Sequence, residues 1–124
     1  MERNVKKAER KVSCDKLFVY GTLQYGQSRH YILQHLRFEK AVLPNYKKVS
    51  PPSLGFPFII RNENSEVNGE IYYGLDEDLF QSLDVIEGEG SLYHRILVKV
   101  ETIKGQEIES FVYYPDKRLI DSYL

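Results

Sequence analysis

Six carboxylates crowd the stretch from Asp76 to Glu89: Asp76, Glu77, Asp78, Asp84, Glu87 and Glu89. Most read as a solvated helix face and its cap. Glu87 differs in position. It follows Ile86 directly, at the end of an apolar stripe, and Gly88 leaves room beside it. A carboxylate there can turn inward, lose solvation and have its pKa raised into the range of a general base. Glu89, beyond the glycine, reads as a solvated turn residue. A paired-carboxylate glycosidase needs two acids flanking a sugar from opposite sides. Glu87 and Glu89 come from the same side, so that chemistry fits poorly.

A second candidate is VYGTLQYGQS, Val19 to Ser28. As a phosphate loop it fails at Gln27, which stands where a lysine must supply positive charge. What survives is the physics of the turn. Gly21 lets the backbone approach a ligand closely, and successive amides near a helix start attract anions. A tight strand-to-helix turn with no ligand explains the same residues. The histidines are His30, His35 and His94. His30 and His35 are five apart, which on a helix puts them on different faces. With no HExxH and no Cys/His cluster, they read as surface or core-edge residues and no metal site is expected. Cys14 is the only cysteine, so there is no intrachain disulfide and no CxxC site.

KLFVYG (Lys16 to Gly21) reads as a buried strand. Ser28 is placed to cap a helix over residues 29–38, with Ile32, Leu33 and Leu36 on one face. The Pro51-Pro52 pair breaks whatever precedes it. GFPFIIR reads as a strand near an edge or bulge, interrupted by Pro57. VNGEIYYGL (Val67 to Leu75) is a further β run. The period then changes. Asp76 caps a helix whose apolar stripe is Leu79, Phe80, Leu83 and Ile86, and Gly88 stops it. SLYHRILVKVETI alternates, with Ile96, Val98 and Val100 on one face and Tyr93, Arg95, Leu97 and Lys99 on the other. Lys104-Gly105 turns it into QEIESFVYYP, its hairpin partner. Mostly strands with two short helices, joined by hairpin-like connections, predict an antiparallel sheet or small barrel of α+β class.

The totals restrict the setting. A chain of 124 residues, 42% hydrophobic and 28% charged, suits one soluble domain. Residues 1–13 read as a basic tail, frayed or forming an extra helix, ahead of a single domain over 14–124. The first twelve residues carry five basic and two acidic side chains, and the rest is acidic. A nucleic-acid binder shows a basic face on its folded body, so none is expected. No apolar run is long enough to span a bilayer, and the polar start is not a secretory signal. Together with the lone cysteine this predicts a cytoplasmic protein.

Four motifs then acquire meaning as a set. FVYGTL (Phe18 to Leu23), VNGEIYYGL, LDVIEGEGSLYHR (Leu83 to Arg95) and FVYYP occur in this order. The set resembles the γ-glutamylcyclotransferase-like family, in particular its small γ-glutamylamine-cyclotransferase-type branch. The resemblance covers residues 15 to 116. YGTL or LDxxEG alone is weak; the pair, with a tyrosine and an arginine after the glutamate, is specific.

The resemblance implies a small, largely antiparallel β-barrel flanked by short helices, with a cavity for a γ-glutamyl compound. It implies that Tyr20, Gly21, Thr22 and Leu23 hold the glutamyl end, largely through backbone groups. The family's glutamate falls on Glu87 and a binding tyrosine on Tyr93. The implied reaction releases an amine or amino acid and closes the glutamyl part into 5-oxoproline, with no metal or organic cofactor. The small-molecule substrate is the only partner implied, and oligomeric state stays open. The residue chemistry agrees, because one buried carboxylate can deprotonate the substrate's α-amine and then protonate the leaving amine. Arg95, on the strand face of Tyr93, either anchors an acidic group or pairs with a nearby acid. Two alternatives remain: a non-catalytic binding module on the same barrel, and another amide-processing enzyme using Glu87.

Overall fold

The computed structural model describes residues 14–124. The expectation for the basic tail, residues 1–13, lies outside the described residues. Five strands form the frame: β1 (Lys16–Val19), β2 (Phe38–Val49), β3 (Phe58–Tyr73), β4 (Tyr93–Thr102) and β5 (Glu107–Pro115). Two helices join them, α1 (Glu77–Glu87) and α2 (Lys117–Tyr123).

The strands close into a barrel in the order β1-β3-β2-β4-β5. All pairings are antiparallel except β1 with β5, where Leu17 meets Phe111 in parallel. The expected small, largely antiparallel barrel with short helices is therefore the fold. The interior collects residues from every strand: Phe18 of β1, Leu43 of β2, Ile59, Val67 and Ile71 of β3, Val98 and Val100 of β4, and Val112 of β5. A second apolar layer lies outside it, built from Leu17, Val19, Leu23, Leu33, Phe58, Tyr72, Phe80, Leu83, Tyr93, Tyr113 and Leu119. That is why β1 is an unbroken apolar run. Successive residues of a strand point to opposite faces, and both faces of β1 are covered.

Two expectations need correction. There is no α-helix over 29–38. Only His30–Ile32 makes a single 3-10 turn, and no side chain caps it. Leu33 is fully buried and Ile32 and Leu36 pack on the core, so the apolar positions are used without the helix. Phe38 instead begins β2. It pairs with Tyr72 and stacks on its ring at 4.8 Å between centroids. Tyr25 and His30 complete that aromatic cluster. A ladder of twelve residues plus ring packing outweighs a helix whose intrinsic preference is modest. The second correction concerns GFPFIIR and VNGEIYYGL. They are one strand, β3, not two. Its Glu70–Tyr73 end pairs with both β1 and β2, while Phe58–Arg61 pairs with β2 alone and ends at a register shift, which fits the expected position near an edge or bulge. Pro57 falls just before it, where a missing N–H costs no ladder bond. The register with β2 steps between Pro44 and Tyr46, at Asn45, whose φ of 71° marks the bulge.

The remaining elements match their sequence signals. Asp76 accepts from the Leu79 N–H at 2.8 Å and caps α1. The β4–β5 hairpin turns at Lys104-Gly105, with the Gly105 N–H on the Thr102 carbonyl. Sequence reading missed β2 and α2. No helix among the described residues is long and apolar enough to cross a membrane.

Candidate active site

Glu87 is the last residue of α1, and the way that helix ends sets its direction. Gly88 takes a left-handed conformation, φ 64° and ψ 44°, which glycine adopts at little cost. Its N–H donates to the Val85 carbonyl at 3.2 Å, and the Glu89 N–H to that of Asp84 at 2.9 Å. This paired closure fixes the final turn. Phe80 and Leu83 anchor the helix face in the outer apolar layer. Ile86, expected to extend that stripe, is 39% exposed and forms part of a cavity rim instead.

A second anchor is polar. Asp84 pairs with Arg95 through Nε and Nη2, each contact at 3.1 Å, and accepts from the Tyr113 hydroxyl at 2.6 Å. The Arg95 guanidinium lies over the rings of Phe80 and Phe111. Of its two expected roles, Arg95 thus takes the structural one and pins α1 to β4 and β5.

The loop after β1 faces α1 across the cavity. The Gln24 N–H closes a turn on the Gly21 carbonyl, and the Arg29 N–H donates to Thr22 at 2.8 Å. Glu70, a buried carboxylate of β3, accepts from the Tyr25 N–H at 2.8 Å and from the Tyr72 hydroxyl at 3.1 Å. The loop is therefore tied to the sheet while, among the described residues, the N–H groups of Gly21, Thr22 and Leu23 donate to no backbone acceptor.

The resulting cavity has a volume of about 260 Å³. At roughly 30 Å³ per water it holds a ligand of about amino-acid size. Tyr20, Gly21, Thr22, Leu23, Glu87 and Tyr93, which lie far apart in the chain, all line it. Glu89 does not; its carboxylate sits at the surface, 3.4 Å from the Arg95 N–H. Sequence reading missed Arg29 and Tyr113. Gly55, Phe56 and Pro57, read from the sequence as the start of a strand, also form part of the wall.

The electrostatics single out one group. Burial raises the Glu87 pKa above its ordinary value of 4.5, and the Arg29 charge partly opposes this. Arg29 Nη1 stands 3.8 Å from Glu87 Oε2, and among the described residues no closer partner approaches that carboxylate. The three tyrosine hydroxyls in the wall are engaged: Tyr20 donates to the Tyr113 carbonyl, Tyr93 to the Pro57 carbonyl, each at 2.8 Å, and Tyr113 to Asp84. Burial pushes all three pKa values far above the usual phenol range. They stay neutral and position the wall.

Comparison with known proteins gives a consistent result. A sequence profile described as "Gamma-glutamyl cyclotransferase, AIG2-like" matches residues 17–123. The chain is 32% identical over 100 residues to AIG2-like protein B of Arabidopsis thaliana, covering 80% of this chain and 57% of that one. It is 32% identical over 111 residues to gamma-glutamylaminecyclotransferase A of Danio rerio, covering 81% of this chain and 68% of that one. The chain thus spans less than two thirds of the length of the Arabidopsis relative. Among solved structures, an AIG2-like protein from Mus musculus superposes with a TM-score of 0.71 at 25% identity, covering 86% of this chain and 82% of that one. With the profile matching most of its length, the chain belongs to the gamma-glutamyl cyclotransferase, AIG2-like family.

Proposed function

We propose that this protein cyclises a γ-glutamyl amino acid or γ-glutamylamine to 5-oxoproline and releases the amine, with Glu87 as general acid and base. The observation that carries this reading is a single, largely buried carboxylate without a close partner among the described residues, opposite a loop whose amides donate to no described backbone acceptor, in an amino-acid-sized cavity.

The chemistry follows from these groups. A glutamyl α-amine is protonated near neutral pH and has no lone pair to use. Glu87, with its pKa raised by burial, takes that proton. The freed nitrogen attacks the side-chain carbonyl carbon of the same glutamyl group, forming the new C–N bond of a five-membered ring. Negative charge develops on the carbonyl oxygen, where the amides of Gly21, Thr22 and Leu23 can donate to it or to the glutamyl carboxylate. The intermediate collapses by breaking the bond to the leaving nitrogen, which receives the proton held by Glu87. The ring nitrogen gives up its second proton through Glu87 as it becomes the lactam N–H, and the amine leaves as an ammonium. Both reacting atoms belong to one molecule, so holding the glutamyl chain folded supplies much of the acceleration. The packed walls from Tyr20, Tyr93 and Tyr113 impose that fold.

The test is 5-oxoproline release from a panel of γ-glutamyl amino acids and γ-glutamylamines. Glu87→Gln keeps the size and removes the titrating group, so turnover is expected to fall by about 10²-fold or more. Glu89→Gln is expected to change stability by less than about 0.5 kcal/mol and leave turnover nearly intact. A Glu87→Gln variant as active as the parent would sink the mechanism.

A further inference from the structure

Among the described residues that line the cavity, Arg29 is the only cation and Glu87 the only carboxylate. Their side chains are unequally placed. Glu87 is 16% exposed and Arg29 is 47% exposed, so the guanidinium stands outward of the carboxylate, at the mouth. At 3.8 Å from Oε2 it makes no tight ion pair with Glu87. Its backbone is held, since its N–H donates to the Thr22 carbonyl, while among the described residues its side-chain donors make no hydrogen bond.

From this placement we infer that Arg29 binds a carboxylate on the leaving group, and so selects γ-glutamyl amino acids with a free α-carboxylate over γ-glutamylamines. The inference rests on the cyclotransferase reaction proposed above. In that reaction the glutamyl part is the inward part, because its amine, carbonyl carbon and carboxylate must all meet Glu87 and the loop amides. The leaving nitrogen must also come within hydrogen-bond reach of Glu87 to receive its proton, and its substituents point toward the mouth. In an α-amino acid the carboxylate is attached through one carbon to that nitrogen. A carboxylate there falls beside a guanidinium that itself lies 3.8 Å from Glu87. A fork of guanidinium donors fits a carboxylate in a paired geometry, whereas a simple alkylamine offers it nothing. Phe56, Ile86 and Leu92 are among the apolar residues that line the same cavity, against which a leaving side chain can lie.

The test uses a matched pair: γ-glutamyl-leucine, and γ-glutamyl-isoamylamide, which is the same molecule without the leucine carboxylate. The readout is the ratio of kcat/KM for the two. This ratio cancels any effect of Arg29 that acts through Glu87 or through the glutamyl end, because both substrates share those contacts. The wild-type ratio is expected to favour the acid by about tenfold or more, mainly through KM. Arg29→Gln is expected to bring it toward one, and Arg29→Lys to retain part of it. A wild-type ratio near one overturns the inference. So does an Arg29→Gln variant that slows both substrates alike, which would assign Arg29 to the glutamyl carboxylate or to tuning Glu87. If the wild type processes neither substrate, the proposed reaction is what fails. Calorimetric binding of the same pair to wild type and Arg29→Gln then reads the same preference: its presence and loss support the role of Arg29, and equal binding overturns it.

Discussion

Glu87 is held where its charge is poorly solvated, and in the proposed reaction that cost is what makes it useful as a base. The direction of its shift gives a pH prediction with a definite sign. In the proposed reaction the carboxylate must be ionised to accept the α-amine proton, so kcat/KM is expected to fall as pH drops through the raised pKa of Glu87. The acid limb of the pH profile should therefore lie above 4.5, the ordinary glutamate value. Arg29 favours the ionised form, so Arg29→Gln should move that limb to higher pH. A limb that stays put would remove Glu87 as the titrating group. At this scale the motif resemblance named Tyr20, Gly21, Thr22, Leu23 and Tyr93, which line the cavity, and the residue pattern alone gave its clearest mark to Glu87. Its place between an apolar stripe and a glycine is a local pattern, and local patterns survive folding. Arg29 and Tyr113 carry no such mark, because each reaches the cavity only through the path of the chain around the barrel.

Helix α1 is what aims Glu87, and its attachments can be removed one at a time. Asp84 is the polar one, bonded at once to Arg95 and Tyr113. Both ion-pair partners are less than a quarter exposed. Asp84→Ala leaves the arginine charge and the phenol without their partner, and is expected to cost about 2–3 kcal/mol in urea denaturation. Because the same bonds set the helix against β4 and β5, this variant should also slow turnover without shifting the acid limb. The caps of α1 were legible because Asp76 and Gly88 act within a few residues of themselves. The expected helix over 29–38 shows the opposite case. Its apolar spacing was real, but Phe38 gains more from stacking on Tyr72 and joining a sheet than from a last helical turn.

Closure of the barrel depends on one close approach. At Gly69 of β3 any Cβ would collide with the Val19 carbonyl oxygen and with the Phe18 ring. Backbone cannot yield as a flexible side chain can. Gly69→Ala is therefore expected to destabilise the fold by about 3 kcal/mol or more, read as a lower denaturation midpoint. An unchanged midpoint would mean that β1 does not cross β3 as tightly as drawn. Since β1 leads directly into the Tyr20–Leu23 loop, the same substitution should weaken substrate binding in whatever fraction folds. What the sequence determined by itself is everything with a short-range cause: the buried run of β1, the capped helix α1 with Glu87 at its end, the β4–β5 hairpin at Lys104-Gly105, and a motif set whose order implied the family and its barrel. What only the tertiary structure decided is β2, the union of two apparent strands into β3, and the meeting of Arg29 with Glu87 across 58 positions of sequence. Caps, turns and periodicities are set by neighbours a few residues away, whereas those features depend on pairings between distant segments that exist only once the barrel has closed.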